Sequence, residues 1–216
     1  MKMLVTRPQH DMTVRYLSYW AEEIITFAQE KGMQIVDLQG QKANKDDFEG
    51  RMKKLEPEIV FLNGHGSEDS VTGHNNKALV EVGKNHEVLK DSITYAVSCD
   101  SGKLLGPNVV KENSNATYIG YDDEFVFVAD GRYISKPLSD PKAQLFMESS
   151  NQVMISLLRG HRVKEASERS RRVFHEHYRK LLASTTDADS LQMAQCLRWD
   201  MHHQVCLGNG DAKLEV

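Results

Sequence analysis

Apolar residues recur along this chain in two rhythms. Short apolar runs closed by glycine, proline or aspartate read as strands, and longer stretches with apolar residues every three or four positions read as helices. Residues 2–6 predict a strand ended by Arg7-Pro8. Residues 11–31 predict a helix: Val14, Leu17, Ala21, Ile24, Ile25 and Ala28 share one face, Asp11 can cap its start, and Gly32 suits the left-handed position that closes it. Residues 33–38 read as a second strand, and polar residues 44–55 as a helix limited by Pro57. The run 58–63 is apolar enough for a strand buried on both faces, and 91–98 and 117–121 add a fourth and a fifth. Strands alternating with helices predict an α/β fold, a mostly parallel, doubly wound sheet sandwiched by helices.

Past the fifth strand the pattern changes. Residues 124–128 and 132–135 flank Ala129-Asp130-Gly131, and Asp-Gly between β-prone runs is a hairpin signal. Three helices are then expected: 140–158 with Pro141 in the first turn, 163–182 after the break at Gly160, and 187–205. Residues 208–211 read as a frayed end. The expected organisation is an α/β core over 1–138 and a helical C-terminal lobe over 139–216, packed on the same domain.

Composition narrows the class. In 216 residues, 40% are hydrophobic and 27% charged, which suits a globular domain with a sizeable core. No apolar run approaches the roughly 20 residues of a membrane helix, and the first residues are too soon interrupted for a signal peptide. A net charge of -4 makes no case for nucleic acid or an anionic membrane as partner. Three cysteines, Cys99, Cys196 and Cys206, are an odd number, which argues against a disulfide framework and for a reducing, cytoplasmic compartment.

The chemistry concentrates where two strands end. The third runs into Asn63-Gly64-His65-Gly66-Ser67 and the fourth into Ser98-Cys99-Asp100-Ser101-Gly102. In open parallel sheets the reactive site lies beyond the carboxyl ends of the strands. Neighbouring strands lie about 4.8 Å apart, so adjacent ends would put His65 and Cys99 within reach. A thiolate is the attacking species, and an imidazole beside it can take its proton. The N–H groups of Gly66 and Cys99 could form an oxyanion hole.

A strand ending in His-Gly followed by a strand ending in Cys resembles the caspase-like cysteine peptidases, the group that includes metacaspases, gingipains, clostripain, separase and CHAT-domain proteases. Residues 98–102 are similar to the metacaspase nucleophile segment Asp-x-Cys-x-Ser-Gly. Residues 146–166, with Leu157-Leu158-Arg159-Gly160 and Val163-Lys164-Glu165-Ala166, look like the helix pair that follows the core in CHAT and gingipain-like domains. The resemblance implies a caspase-like fold, a thiol protease, His65 as general base or acid, Cys99 as nucleophile, Gly66 and Cys99 as oxyanion donors, and no cofactor or metal for the chemistry. One departure stands out. Where metacaspases and clostripain carry an acidic selector two positions before the cysteine, this chain has Val97. Asp100, Asp122, Asp123 and Glu124 are the carboxylates expected to hold a basic P1 side chain, and Arg132 is the candidate for an acidic one. The interval from His65 to Cys99 is also shorter than the roughly 50 residues of caspases.

The expected function is a cysteine endopeptidase with a protein or peptide substrate and a regulatory protein partner. The rivals are another α/β cysteine hydrolase and a catalytically degenerate scaffold or binding module. Cys196, His202, His203 and Cys206 carry zinc-type donors in a spacing that matches no standard zinc module. The basic residues Arg159, Arg162, Lys164, Arg169, Arg171 and Arg172 read as a solvated helix face. His74 reads as a loop residue.

Overall fold

The computed structural model describes residues 1–184 and 187–215. In chain order the regular elements are β1 (Lys2–Arg7), α1 (Met12–Glu30), β2 (Gln34–Gln39), α2 (Lys45–Leu55), β3 (Ile59–Asn63), β4 (Gly66–Ser67), β5 (Ser70–Thr72), β6 (Ala78–Glu81), β7 (Ile93–Val97), α3 (Leu105–Glu112), β8 (Thr117–Tyr121), α4 (Pro141–Leu158), α5 (Val163–Ser184), α6 (Ala188–His203) and β9 (Gln204–Gly208). Six strands form one sheet in the order β2-β1-β3-β7-β8-β9, and β4, β5 and β6 form a small antiparallel sheet beside it. Every pairing of the large sheet is parallel except β8 with β9.

Strand alternation sorts the apolar side chains into two layers. Met3, Val5, Phe61, Tyr95, Val97, Ile119 and Tyr121 face one core, which α1, α4, α5 and α6 cover. Leu4, Val60, Leu62, Ala96 and Tyr118 face the other, under α2 and α3. Phe61 and Tyr95 stack across β3 and β7 with ring centroids 5.5 Å apart. Asp11 caps α1 as the sequence predicts, accepting the Val14 N–H at 3.0 Å, and Asp140 caps α4 by accepting the N–H groups of Lys142 and Ala143. No helix among the described residues is long and apolar enough to cross a membrane.

Three expectations need correction. There is no hairpin over 124–135: residues 124–130 are irregular and Gly131–Tyr133 form a single 3-10 turn. The last helix stops at His203, and the next five residues turn into β9 on the edge of the main sheet, where their backbone groups pair with the edge of β8 that would otherwise stay open. The segment after it is not frayed. Asn209 donates to the Ala116 carbonyl, Val163 and Lys164 donate to the carbonyls of Ala212 and Gly210, and Leu214 is buried.

Candidate active site

The last register pair of β3 and β7 is Asn63 with Val97. Two residues further along each strand stand His65 and Cys99, so they leave the sheet level with each other at the carboxyl rim. Gly64 N–H reaches the Val97 carbonyl at 3.4 Å and carries the pairing past the strand ends. The approach then tightens. A Cβ on Gly66 would collide with the Cys99 carbonyl oxygen and crowd the Ser98 side chain, and one on Gly64 would collide with the Thr72 carbonyl oxygen. Only glycine on both sides of His65 lets the strand pass this close to the turn at Cys99. Thr72 N–H donates to the His65 carbonyl, so Gly66 and Val71 form the non-hydrogen-bonded pair of the β4–β5 ladder. In that ladder the Gly66 N–H faces away from β5.

Sequence reasoning took Asp11 only as a cap, but it has a second partner. Its Oδ2 lies 2.7 Å from His65 Nε2. A carboxylate can only accept, so Nε2 carries the hydrogen and Nδ1 of a neutral His65 is left as a base. Burial alone would raise the Asp11 carboxyl. The bonds from His65 and the Val14 N–H, with the nearby His65 and His10 rings, hold it below the usual carboxylate range. The signal was an aspartate just beyond β1, on the same rim as His65.

Cys99 is half-buried, with its sulfur 4.0 Å from the Phe125 carbonyl oxygen. Burial pushes its thiol up, and the charges of Glu124 and Asp100 push it further. The turn behind it is clamped. Asp100 sits at φ 60, a left-handed conformation that Asp tolerates better than most residues. Its N–H bonds the Asp123 carbonyl, and the Gly102 N–H bonds the Tyr121 carbonyl at 2.8 Å.

A cleft of about 520 Å³ opens beside these groups, lined by His65, Cys99, Met12, Thr13, residues 124–127, Ala129, Gly131 and Ile134. Its irregular wall is pinned from behind. Asp200, on α6, accepts the Val126 N–H at 2.9 Å, and Trp199 donates to the Glu124 carbonyl. His203 bonds Asp122, and buried Asp140 accepts both the Asp130 N–H and the Tyr16 hydroxyl. Asp200 is fully buried, and burial holds its carboxyl well above the usual range.

The acidic candidates divide. Glu124 is exposed and lines the cleft. Asp100 is paired with Lys103 at 2.6 Å, Asp122 with His203 at 2.9 Å, and Asp123 accepts the Glu124 N–H. Arg132 is exposed and forks onto Asp130. The C-terminal cysteines and histidines do not converge: His202 bonds the Arg198 carbonyl and His203 bonds Asp122. Among the described residues, the metal-type donors that do converge are His10, Asp11 and His65. His74 brings its ring 5.3 Å from that of His10.

No protein-family model matches this chain, and no curated protein matches its sequence.

Proposed function

We propose that this protein is a cysteine endopeptidase of the caspase-like type, with Cys99 as nucleophile, His65 as general base and acid, and Asp11 as the residue that positions His65. The observation that carries the reading is the register of β3 and β7, which brings His65 and Cys99 to one cleft while Asp11 occupies Nε2 of the imidazole and leaves Nδ1 free to act as base. The Cys99 proton passes to His65 Nδ1 as the sulfur attacks the substrate carbonyl carbon. The oxyanion that forms takes hydrogen bonds from the N–H groups of Gly66 and Cys99. The amine leaves with the proton from His65, and water, deprotonated by the same nitrogen, releases the acyl group from sulfur. Asp11 stabilises the imidazolium between these steps.

The cleft also supports a substrate class. Phe125, Phe127 and Ile134 offer an apolar bed for the stem of a long side chain, and Glu124 offers a carboxylate at its mouth. That combination suits a basic P1 residue, with Arg able to take two charge-assisted bonds. A positional-scanning peptide library tests this. Cleavage after Arg or Lys is expected and should weaken in Glu124→Gln; best cleavage after Asp overturns the specificity.

One observation favours a binding module instead: the surroundings of Cys99 hold its thiol in the neutral form. Covalent labelling separates the two readings. A peptidyl acyloxymethyl ketone should modify wild type at Cys99 and leave Cys99→Ala untouched. Cys99→Ala should lose hydrolysis while its stability stays within about 1 kcal/mol of wild type. Full hydrolysis by Cys99→Ala would end the assignment of Cys99 as nucleophile.

A further inference from the structure

We propose that His10, Asp11 and His65 form a binding site for Zn²⁺, and that filling it switches off the general base. The site itself does not depend on the peptidase reading; the switch does.

The donors are already gathered. Asp11 Oδ2 lies 2.7 Å from His65 Nε2 and 3.4 Å from His10 Nε2. One donor atom from each of the three side chains lies within 4.8 Å of the others. Zinc–nitrogen and zinc–oxygen bonds are about 2.0–2.2 Å long, so side-chain adjustments on the order of 1 Å bring all three onto one tetrahedral ion with a position left for water. Two imidazoles and a carboxylate form a donor set that zinc favours. The backbone around them is firm: Asp11 caps α1, and His65 is held between two glycines packed against neighbouring strands.

A second observation points the same way. The His10 side chain is nine-tenths buried; its Nε2, the donor nitrogen, also lies 2.9 Å from Asn76 Oδ1, a bond the ion would replace, while its Nδ1 and the Nδ1 of His74 beside it have no hydrogen-bond partner. Buried polar atoms are normally satisfied. This corner therefore holds more imidazole nitrogen than the protein's own groups use, and His10 has no step to perform in peptide hydrolysis.

The consequence for His65 follows from its two nitrogens. Zinc takes the Nε2 lone pair, so the hydrogen of the neutral ring moves to Nδ1 and the Asp11 hydrogen bond is exchanged for a metal bond. No electron changes hands. Nδ1 then carries a hydrogen and cannot accept the Cys99 proton.

Calorimetric titration of the untagged full chain with ZnCl₂ should give one ion per chain. His10→Ala should weaken binding about tenfold or more, with His10→Gln as a second variant and circular dichroism confirming that both fold. Cys99→Ala should bind unchanged. Co²⁺ substituted for zinc should give a tetrahedral visible spectrum without the sulfur charge-transfer band of a thiolate ligand. Saturating zinc should slow wild-type peptide hydrolysis about tenfold or more, reversibly with chelator, and leave His10→Ala, compared with its own zinc-free rate, nearly unaffected. Unchanged affinity in His10→Ala, a sulfur band, or no binding overturns the site. Hydrolysis indifferent to bound zinc overturns the switch. Zinc bound by a chain that cleaves no peptide upholds the site and removes the peptidase reading alone.

Discussion

Asp11 accepts from the Val14 N–H through one oxygen and from His65 through the other. Asparagine caps a helix as well as aspartate does, but its amide group presents a donor to Nε2 and forces the hydrogen onto Nδ1. Asp11→Asn should therefore lower kcat about 10²- to 10⁴-fold while unfolding free energy moves by less than about 0.5 kcal/mol. A parallel loss of stability would assign Asp11 to the helix alone. Cys99 offers a second test. Its thiol is raised, so the reactive thiolate is scarce at neutral pH and grows as pH rises. Iodoacetamide labelling of Cys99, followed by mass spectrometry, should quicken about tenfold per pH unit from 7 to 9 without a plateau. Glu124→Gln should speed it at pH 7. A plateau below pH 7 would mean a resting thiolate–imidazolium pair. His65, Cys99 and the glycines were legible because each sits at a strand end with its own local signal. The second role of Asp11 was not, because it joins residues 54 apart in the chain.

At the scale of elements, the cleft wall is the segment that sequence pattern misread. Phe125-Val126-Phe127-Val128 alternates like nothing in particular and is β-prone throughout, so it passes for a strand before Asp130-Gly131. Its backbone partners lie instead on distant side chains: Asp200 takes the Val126 N–H and Asp140 takes the Asp130 N–H. Pattern reading counts local periodicity and cannot see a carboxylate 74 residues away. Asp200 also sets a pH dependence. Its carboxyl is raised in the folded protein, so folding favours the protonated form. The contribution is whole below the unfolded value near 3.9 and is lost as pH rises through the folded value. Asp200→Asn keeps an oxygen for Val126 and has no charge to bury. It should be more stable than wild type at pH 7, by on the order of 1–2 kcal/mol, and indifferent at pH 4 or below. Denaturant melts at both pH values check the sign.

For the whole molecule, the five parallel strands up to Tyr121 and helices α1 and α2 were readable, each from its own apolar run, cap or turn, whereas the small sheet β4–β6 and α3, whose N-terminus has no side-chain cap, were not. The sixth strand was not: Gln204-Val205-Cys206-Leu207-Gly208 is short and follows a helix without a break, and only its place beside β8 makes it a strand. The division into a core and a helical lobe is bridged by it. Gln204 ties the sheet edge to α5 through Ser167 and Ser170. Removing residues 204–216 should therefore abolish the cooperative melt of the entire chain, whereas an independent lobe would leave a melting core behind; calorimetry distinguishes the two. The late position of these supports bears on synthesis. His65 and Cys99 leave the ribosome well before Trp199, Asp200 and His203, which hold the cleft wall. A growing chain thus carries both side chains before the wall of the cleft beside them can be pinned, so on the proposed reading the pair is made ahead of the surface that would seat a substrate.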